Sequence, residues 1–442
     1  MPAALVDKLR ATLGTAHVLT GIELSPFALD GRTPEAAVFP GSVEEISTVV
    51  RLAADAGVSI RPWGGGTASG VGAPPPASGI VLGLSRMNRL LEHEPGDLTA
   101  TVEAGMTFAA LQSALRAKGQ WLSLDPPQPE RATVGGVIAA DAYGPRRQLY
   151  GTARDLLIGL KVVTADGVVV HGGGKVVKNV AGYDLPKLFI GAYGTLGIVV
   201  ELTVKLRPLA DAERLVALAF DRVKDCGAAV RAVLGSDLIP NALDVLDAAS
   251  SAAIGLPASP ALIVGFDGLP EQIDWQVGEL AALARALGGR EPGGLVLLDP
   301  SVWTRLATAA RDACAMPAAV MRLSVLPTMV AEAIDNGTGA ARQRGLASAW
   351  AAHAGVGVVT GVLCAPDAEP CDTATVAGVL EDWRACARAG GGHASLMWAP
   401  LAVKSQLPAW DDAGPAGRIM RRIKEQLDPG HVFNPGRFVA GI

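Results

Sequence analysis

Three glycine-rich stretches in the N-terminal half hold the residues best suited to chemistry, at 64–70, 135–151 and 172–197. The first, Gly64-Gly65-Gly66-Thr67-Ala68-Ser69-Gly70, leaves an expected short strand at 58–61 through Pro62-Trp63. Successive backbone amides without intervening Cβ atoms form a nest for an anion, and phosphate oxygens can approach them closely. A surface turn would use the same glycines. No GxxxxGK[ST] loop occurs, and the stretch lacks the third glycine of a GxGxxG fingerprint. The second stretch starts at Arg131-Ala132-Thr133-Val134-Gly135-Gly136-Val137-Ile138-Ala139-Ala140 and runs on to Gly144 and Tyr150-Gly151. Its small residues would let a helix start press against something flat and large. The third holds Lys178-Asn179-Val180-Ala181-Gly182-Tyr183-Asp184-Leu185 and then Gly191, Gly194 and Gly197. Close packing would explain any one of these. Three within about 140 residues point to one shared ligand.

Side-chain chemistry is sparser. The histidines His17, His93, His171, His353, His393 and His431 make no HExxH or HxH pair, so no metal site is expected. His393, in Gly390-Gly391-Gly392-His393-Ala394-Ser395, is the weak catalytic candidate; it could equally shape a turn. Arg146 and Arg147 suit a carboxylate, a partner subunit, or simply solvent. The five cysteines (Cys226, Cys314, Cys364, Cys371 and Cys386) are odd in number, widely spaced and without a CxxC. They read as free thiols, not as a disulfide framework or iron–sulfur ligands.

The elements that must position these residues are partly legible. Ser42 and Glu45 form a capping box at the head of a 42–57 helix, with Val43, Ile46, Val49, Val50 and Ala53 on one face and Gly57 at its end. Strands are expected at 79–84 and 98–102, and a helix from Thr107 to Lys118, ended by Gly119. Thr133 caps a short helix. Ala165-Asp166-Gly167 turns a hairpin between 155–164 and 168–171. Asp184 caps a 185–190 helix, and a strand over 198–207 stops at Pro208. Beyond about residue 210 the glycine clusters thin out, and alanine-rich helices alternate with strands such as 261–266 and 358–363. Ile419, Ile423 and Leu427 mark a last helix before Asn434-Pro435-Gly436-Arg437.

Composition agrees with a large folded chain. Of 442 residues, half are hydrophobic and 18% charged, with 53 glycines, 30 prolines and a net charge of −5. Disorder and collagen-like structure are excluded, and the absence of a basic stripe makes nucleic acid a poor partner. No apolar run reaches the roughly 18 residues of a membrane span, and the N-terminus lacks the pattern of a signal peptide. The expected setting is therefore cytoplasmic, any contact with the inner membrane being made through partners.

Four separated blocks now carry a resemblance. Arg61-Pro62-Trp63-Gly64-Gly65-Gly66-Thr67, Ala132–Gly136 with Tyr150–Asp155, Lys178–Leu185 with Gly194–Ile198, and Asn434–Arg437 resemble the flavin segments of the p-cresol methylhydroxylase/vanillyl-alcohol oxidase (PCMH-type) superfamily. Val102–Thr107, Gly119–Pro127, Gly144-Pro145-Arg146-Arg147 and the ending Asp428–Ile442 resemble, more narrowly, the FAD-binding accessory subunits of bacterial glycolate oxidase.

The resemblance implies an α+β fold. A PCMH-type FAD domain of two α+β subdomains would span 35–210, after a lead-in at 1–34. A cap with an antiparallel sheet and helices would span 211–414, and 415–442 would return to the FAD domain. It implies non-covalent FAD, because Thr67, Ala68 and Ser69 stand where covalent relatives carry histidine. It implies cofactor contacts from Pro62, Trp63, Gly64, Gly65, Gly66, Thr67, Ala68, Pro126, Thr133, Gly135, Gly136, Ala139, Gly144, Gly151, Gly197, Ile198 and Asn434. Asn434 is expected as a donor at the pyrimidine edge of the ring. The implied partners are a catalytic flavoprotein subunit and an iron–sulfur subunit, with a small 2-hydroxy acid as substrate. The histidine pairs HxGDGNxH and GEHG of substrate-oxidising relatives are missing from this sequence. That leaves a stand-alone D-lactate- or glycolate-type dehydrogenase as the alternative.

Overall fold

The computed structural model describes residues 3–76, 79–175, 183–287, 296–299, 301–365 and 371–442. The architecture is α+β, and the chain divides into two units. Unit 1 takes 1–143, 152–209 and 412–442; unit 2 takes 144–151 and 210–411. The lead-in thus joins unit 1, and the 144–151 loop belongs with the second unit.

Among the described residues unit 1 carries two main sheets and one two-stranded pair. In the first, Val18–Leu19, Ala36–Val38, Ile80–Gly83 and Ile60–Trp63 lie in that order, the last three parallel. In the second, Leu90–Glu94, Thr99–Glu103, Ile198–Lys205, Leu157–Val163 and Val169–Gly173 lie in that order and are antiparallel throughout. The helix Val43–Asp55 buries Ile46, Val49, Val50 and Ala53, as its periodicity required. Ser42 accepts from the Glu45 amide, but the Glu45 carboxylate reaches one residue further back, to the Gly41 N–H at 2.6 Å. The hairpin turn is built by Asp166, whose carboxylate accepts from the Thr164 hydroxyl and the Val168 amide.

Three local expectations differ from the structure. Asp184 does not cap a helix: the helix is Pro186–Phe189, Leu185 precedes it, and Asp184 pairs with Lys187 at 3.4 Å. The proline at the first helical position starts the helix one residue later than the sequence suggested. The long strand ends at Lys205, and Arg207–Pro208 pairs separately with Gln120–Trp121. Ile419 lies exposed on the helix Ala416–Leu427, whereas Ile423 and Leu427 pack on the core.

Among the described residues unit 2 is one eight-stranded antiparallel sheet whose strands span 212–398, with helices packed on it. Its main core joins Phe220, Phe266, Trp350 and Trp383, and the two tryptophan rings lie 4.4 Å apart. Cys314 and Cys364 are disulfide-bonded, with Cα atoms 5.6 Å apart, so the free-thiol expectation fails for these two. They are 50 residues apart in sequence and meet only because helix and strand pack. Cys226, Cys371 and Cys386 are free.

Candidate functional site

Unit 1 contains a cleft of about 1020 Å³, its open mouth included. Its first wall is the loop after the strand Ile60–Trp63. Gly66 has φ +73°, which an L side chain adopts only under strain. A Cβ on Gly65 would sit 1.7 Å from the Arg131 carbonyl oxygen, so only glycine lets this loop lie on the 131–133 segment. Trp63 is fixed beneath the loop by an edge-on contact with Phe27 at 5.5 Å, with the Arg61 guanidinium over its ring at 5.4 Å.

The second wall is the short helix Val134–Ala140. Thr133 caps it, accepting from the Gly136 amide at 3.2 Å. Gly135, Gly136, Ala139 and Ala140 all face the cleft. The third wall is 189–199, where Phe189, Ala192, Leu196, Ile198 and Val199 supply an apolar surface.

The C-terminal segment closes the cleft. The Ile60 amide donates to the Val432 carbonyl, and the Asn434 amide donates to the Ile60 carbonyl, so Phe433 makes a parallel bridge to Ile60. Asn434 has φ +41°. Its side-chain nitrogen donates to the Tyr193 carbonyl at 2.8 Å, and its Oδ1 is buried with no hydrogen-bond partner. The amide oxygen is therefore left to a ligand as an acceptor, beside the second N–H of the same amide, the donor role expected from the sequence.

Fourteen of the seventeen expected cofactor residues line this cleft: Pro62 to Ala68, Thr133, Gly135, Gly136, Ala139, Gly197, Ile198 and Asn434. Pro126, Gly144 and Gly151 do not. Pro126 is buried elsewhere in unit 1, and the two glycines belong to unit 2. Of the third glycine stretch, 178–182 lies outside the described residues, while Gly194 and Gly197 reach the cleft.

The other candidates are not among the residues that line it. His393 is exposed at the start of the edge strand His393–Trp398 of unit 2. Its expected loop is the first residue of a β-ladder, opposite Ser324. Arg146 pairs with Glu213 at 2.5 Å and stacks over Trp303, so it is held by its own unit and is not a solvated charge. His93 bonds Gln120. Among the described residues no group of three metal-ligating side chains occurs.

Four residues escaped the sequence reading. Arg61 and Arg437 line the cleft as cations. Burial lowers Arg437 to about 10; burial, and then the charge of Arg437, lowers Arg61 to about 10. Both remain protonated at neutral pH. Arg437 ties the loop down through the carbonyls of Ser69, Val71 and Ala73. Lys424 and Asp428 form a buried pair behind the C-terminal wall. The arginines are the end residues of two quoted motifs, which was an available signal. The i,i+4 spacing of Lys424 and Asp428 looks like any surface helix pair, so only the fold reveals it.

The residues suit a flavin dinucleotide. The glycine loop and two cations suit a diphosphate, the apolar walls suit a flat ring, and Asn434 Oδ1 is a buried acceptor awaiting an N–H. Comparisons with known proteins agree. Residues 34–173 match an FAD binding domain family, and residues 209–438 match the C-terminal domain of FAD linked oxidases. A glycolate oxidase subunit, GlcD, of Bacillus subtilis is 35% identical over 57% of this chain and 55% of its own length. The chain thus matches about half the length of that relative. A probable mitochondrial D-lactate dehydrogenase of Danio rerio is 28% identical over 92% of this chain and 84% of its own. The structure of p-cresol methylhydroxylase with substrate bound superposes with a TM-score of 0.78 at 19% identity, covering 99% of this chain and 96% of that one. At that identity the likeness is one of fold. No helix among the described residues is long and apolar enough to cross a membrane.

Proposed function

Because the chain belongs to the FAD-linked oxidases, within the PCMH-type FAD-binding superfamily, we propose that it is the FAD-carrying subunit of a glycolate-oxidase-like complex. The complex oxidises a small 2-hydroxy acid, glycolate to glyoxylate, and passes electrons to an iron–sulfur partner beside a catalytic flavoprotein subunit. The chain works in the cytoplasm and reaches the inner membrane only through partners. The observation that carries the reading is the cleft of unit 1, where residues from four separated sequence blocks meet.

FAD, when bound, would supply a carrier for the two electrons taken from the substrate. The chain's own residues then have distinct tasks. Amides of Gly64, Gly65, Gly66, Thr67 and Ala68 hold the diphosphate, with Arg61 and Arg437 providing the compensating field. Gly135, Gly136 and Ala139 keep one wall flat. Leu196, Ile198 and Val199 exclude water from the opposite wall. Thr67, Ala68 and Ser69 offer no imidazole for a covalent link, so attachment is non-covalent. No side chain is assigned as the base for the hydroxyl proton.

The second reading, a stand-alone dehydrogenase for D-lactate or glycolate, draws support from the near full-length similarity to the D-lactate dehydrogenase. Anaerobic mixing of the isolated, FAD-loaded chain with glycolate and with D-lactate separates the two. The subunit reading expects a flavin that stays oxidised over minutes, and that bleaches once the co-expressed partner subunits are added. Rapid bleaching of the chain alone would establish the stand-alone reading instead.

A further inference from the structure

Behind the C-terminal wall of the cleft, Lys424 is 1% exposed and Asp428 is fully buried. The Lys424 ammonium has three N–H groups, and each finds one acceptor: the Thr195 carbonyl at 2.6 Å, the Asp428 carboxylate at 2.5 Å and the Phe433 carbonyl at 2.9 Å. Asp428 in turn accepts from the Val432 and Phe433 amides, both at 2.8 Å. One ion pair therefore grips both Thr195, 229 residues from Lys424 in sequence, and Phe433, 9 residues from it. Thr195 sits between Gly194 and Leu196, which line the cleft, and Phe433 directly precedes Asn434. Fixing the peptides on both sides of Phe433 leaves Asn434 little freedom. It takes the left-handed conformation, is 7% exposed, and keeps Oδ1 without a partner. A backbone in that region and an unsatisfied buried acceptor both cost free energy. They persist because the surrounding bonds over-determine them. Burial lowers the pKa of Lys424, but the bonded and charged Asp428 opposes that shift and favours the ammonium form.

We infer that Lys424 and Asp428 are positioning residues that hold the Asn434 amide oxygen ready to accept the single ring N–H of an oxidised flavin, so that this clamp makes the site select a flavin with a free N3–H. The inference rests on the FAD reading of the cleft. It differs from a purely structural role, because a structural clamp would affect every ligand of unit 1 alike.

The test uses the full chain stripped of flavin and three probes: FAD, N3-methyl-FAD, which lacks that donor, and ADP, which lacks the ring. The wild type should bind FAD at least tenfold more tightly than N3-methyl-FAD. Asn434→Ala should lose that preference. Lys424→Met and Asp428→Asn should reduce it to less than threefold, with the ADP Kd unchanged within twofold. If Lys424→Met fails to fold, the milder Asp428→Asn, which keeps one acceptor oxygen, decides the matter. Equal binding of the two flavins by wild type, or full discrimination by folded clamp variants, overturns the inference and leaves the FAD reading standing. Failure of the wild type to bind either FAD or ADP would remove both.

Discussion

Gly65 shows how little room the flavin loop has. Its missing Cβ is replaced by the Arg131 carbonyl oxygen at 1.7 Å from where that carbon would be, and backbone cannot swing aside as a flexible side chain can. Gly65→Ala should therefore displace the loop, costing roughly 1–3 kcal/mol, the range for forced overpacking. The visible flavin absorbance per chain should fall at least tenfold after gel filtration; a variant retaining full flavin content would contradict this placement of the loop. Glycines at such positions are legible in sequence because nothing else fits there. Arg61, Arg437 and Lys424 were harder to see, although each is plainly a cation. What distinguishes them is burial, and burial depends on segments brought together from positions as far apart as 69 and 437. The Asn434 amide shows a further limit: its position was legible, but not that Tyr193 takes one of its N–H groups while Oδ1 stays buried without a partner.

At the scale of elements, capping and turn chemistry carried most of the expectation. Thr133 and Ser42 each accept from a first-turn amide as read, because these bonds depend on three-residue spacing alone, and Thr107 does the same without having been read as a cap. Asp184 failed because Pro186 set the helix start from the other side. The Asp166 turn gives an element-scale prediction with a sign. The Thr164 hydroxyl, and then the Val168 amide, hold the Asp166 carboxyl below its ordinary value. A carboxylate lowered in the folded state adds stability above its unfolded pKa of about 3.9, and that contribution is lost as pH falls through the folded value. The stability advantage of wild type over Asp166→Asn should be present at about pH 6 and shrink below about pH 4. A difference in urea midpoint that stays constant across this range would refute it. The side chain is exposed, so a small effect is expected.

For the whole molecule, sequence conveyed the first unit better than the second. Unit 1 meets its ligand through backbone, and backbone close approach demands glycine at fixed places. Unit 2 is a large antiparallel sheet whose alternating pattern specifies burial but no ligand, and its disulfide joins residues with no local signal. The cleft is built entirely within unit 1, from the glycine loop, a capped helix, the 189–199 wall and the C-terminal return. Binding a dinucleotide there should stabilise the folded chain by mass action. The central claim, that this cleft holds non-covalent FAD, is tested most directly by purifying the chain, denaturing it, and measuring the flavin released. About one FAD per chain should appear in the supernatant, leaving a colourless precipitate. A chain purified without flavin and unable to bind added FAD, or one whose flavin stays with the precipitate, would contradict the account.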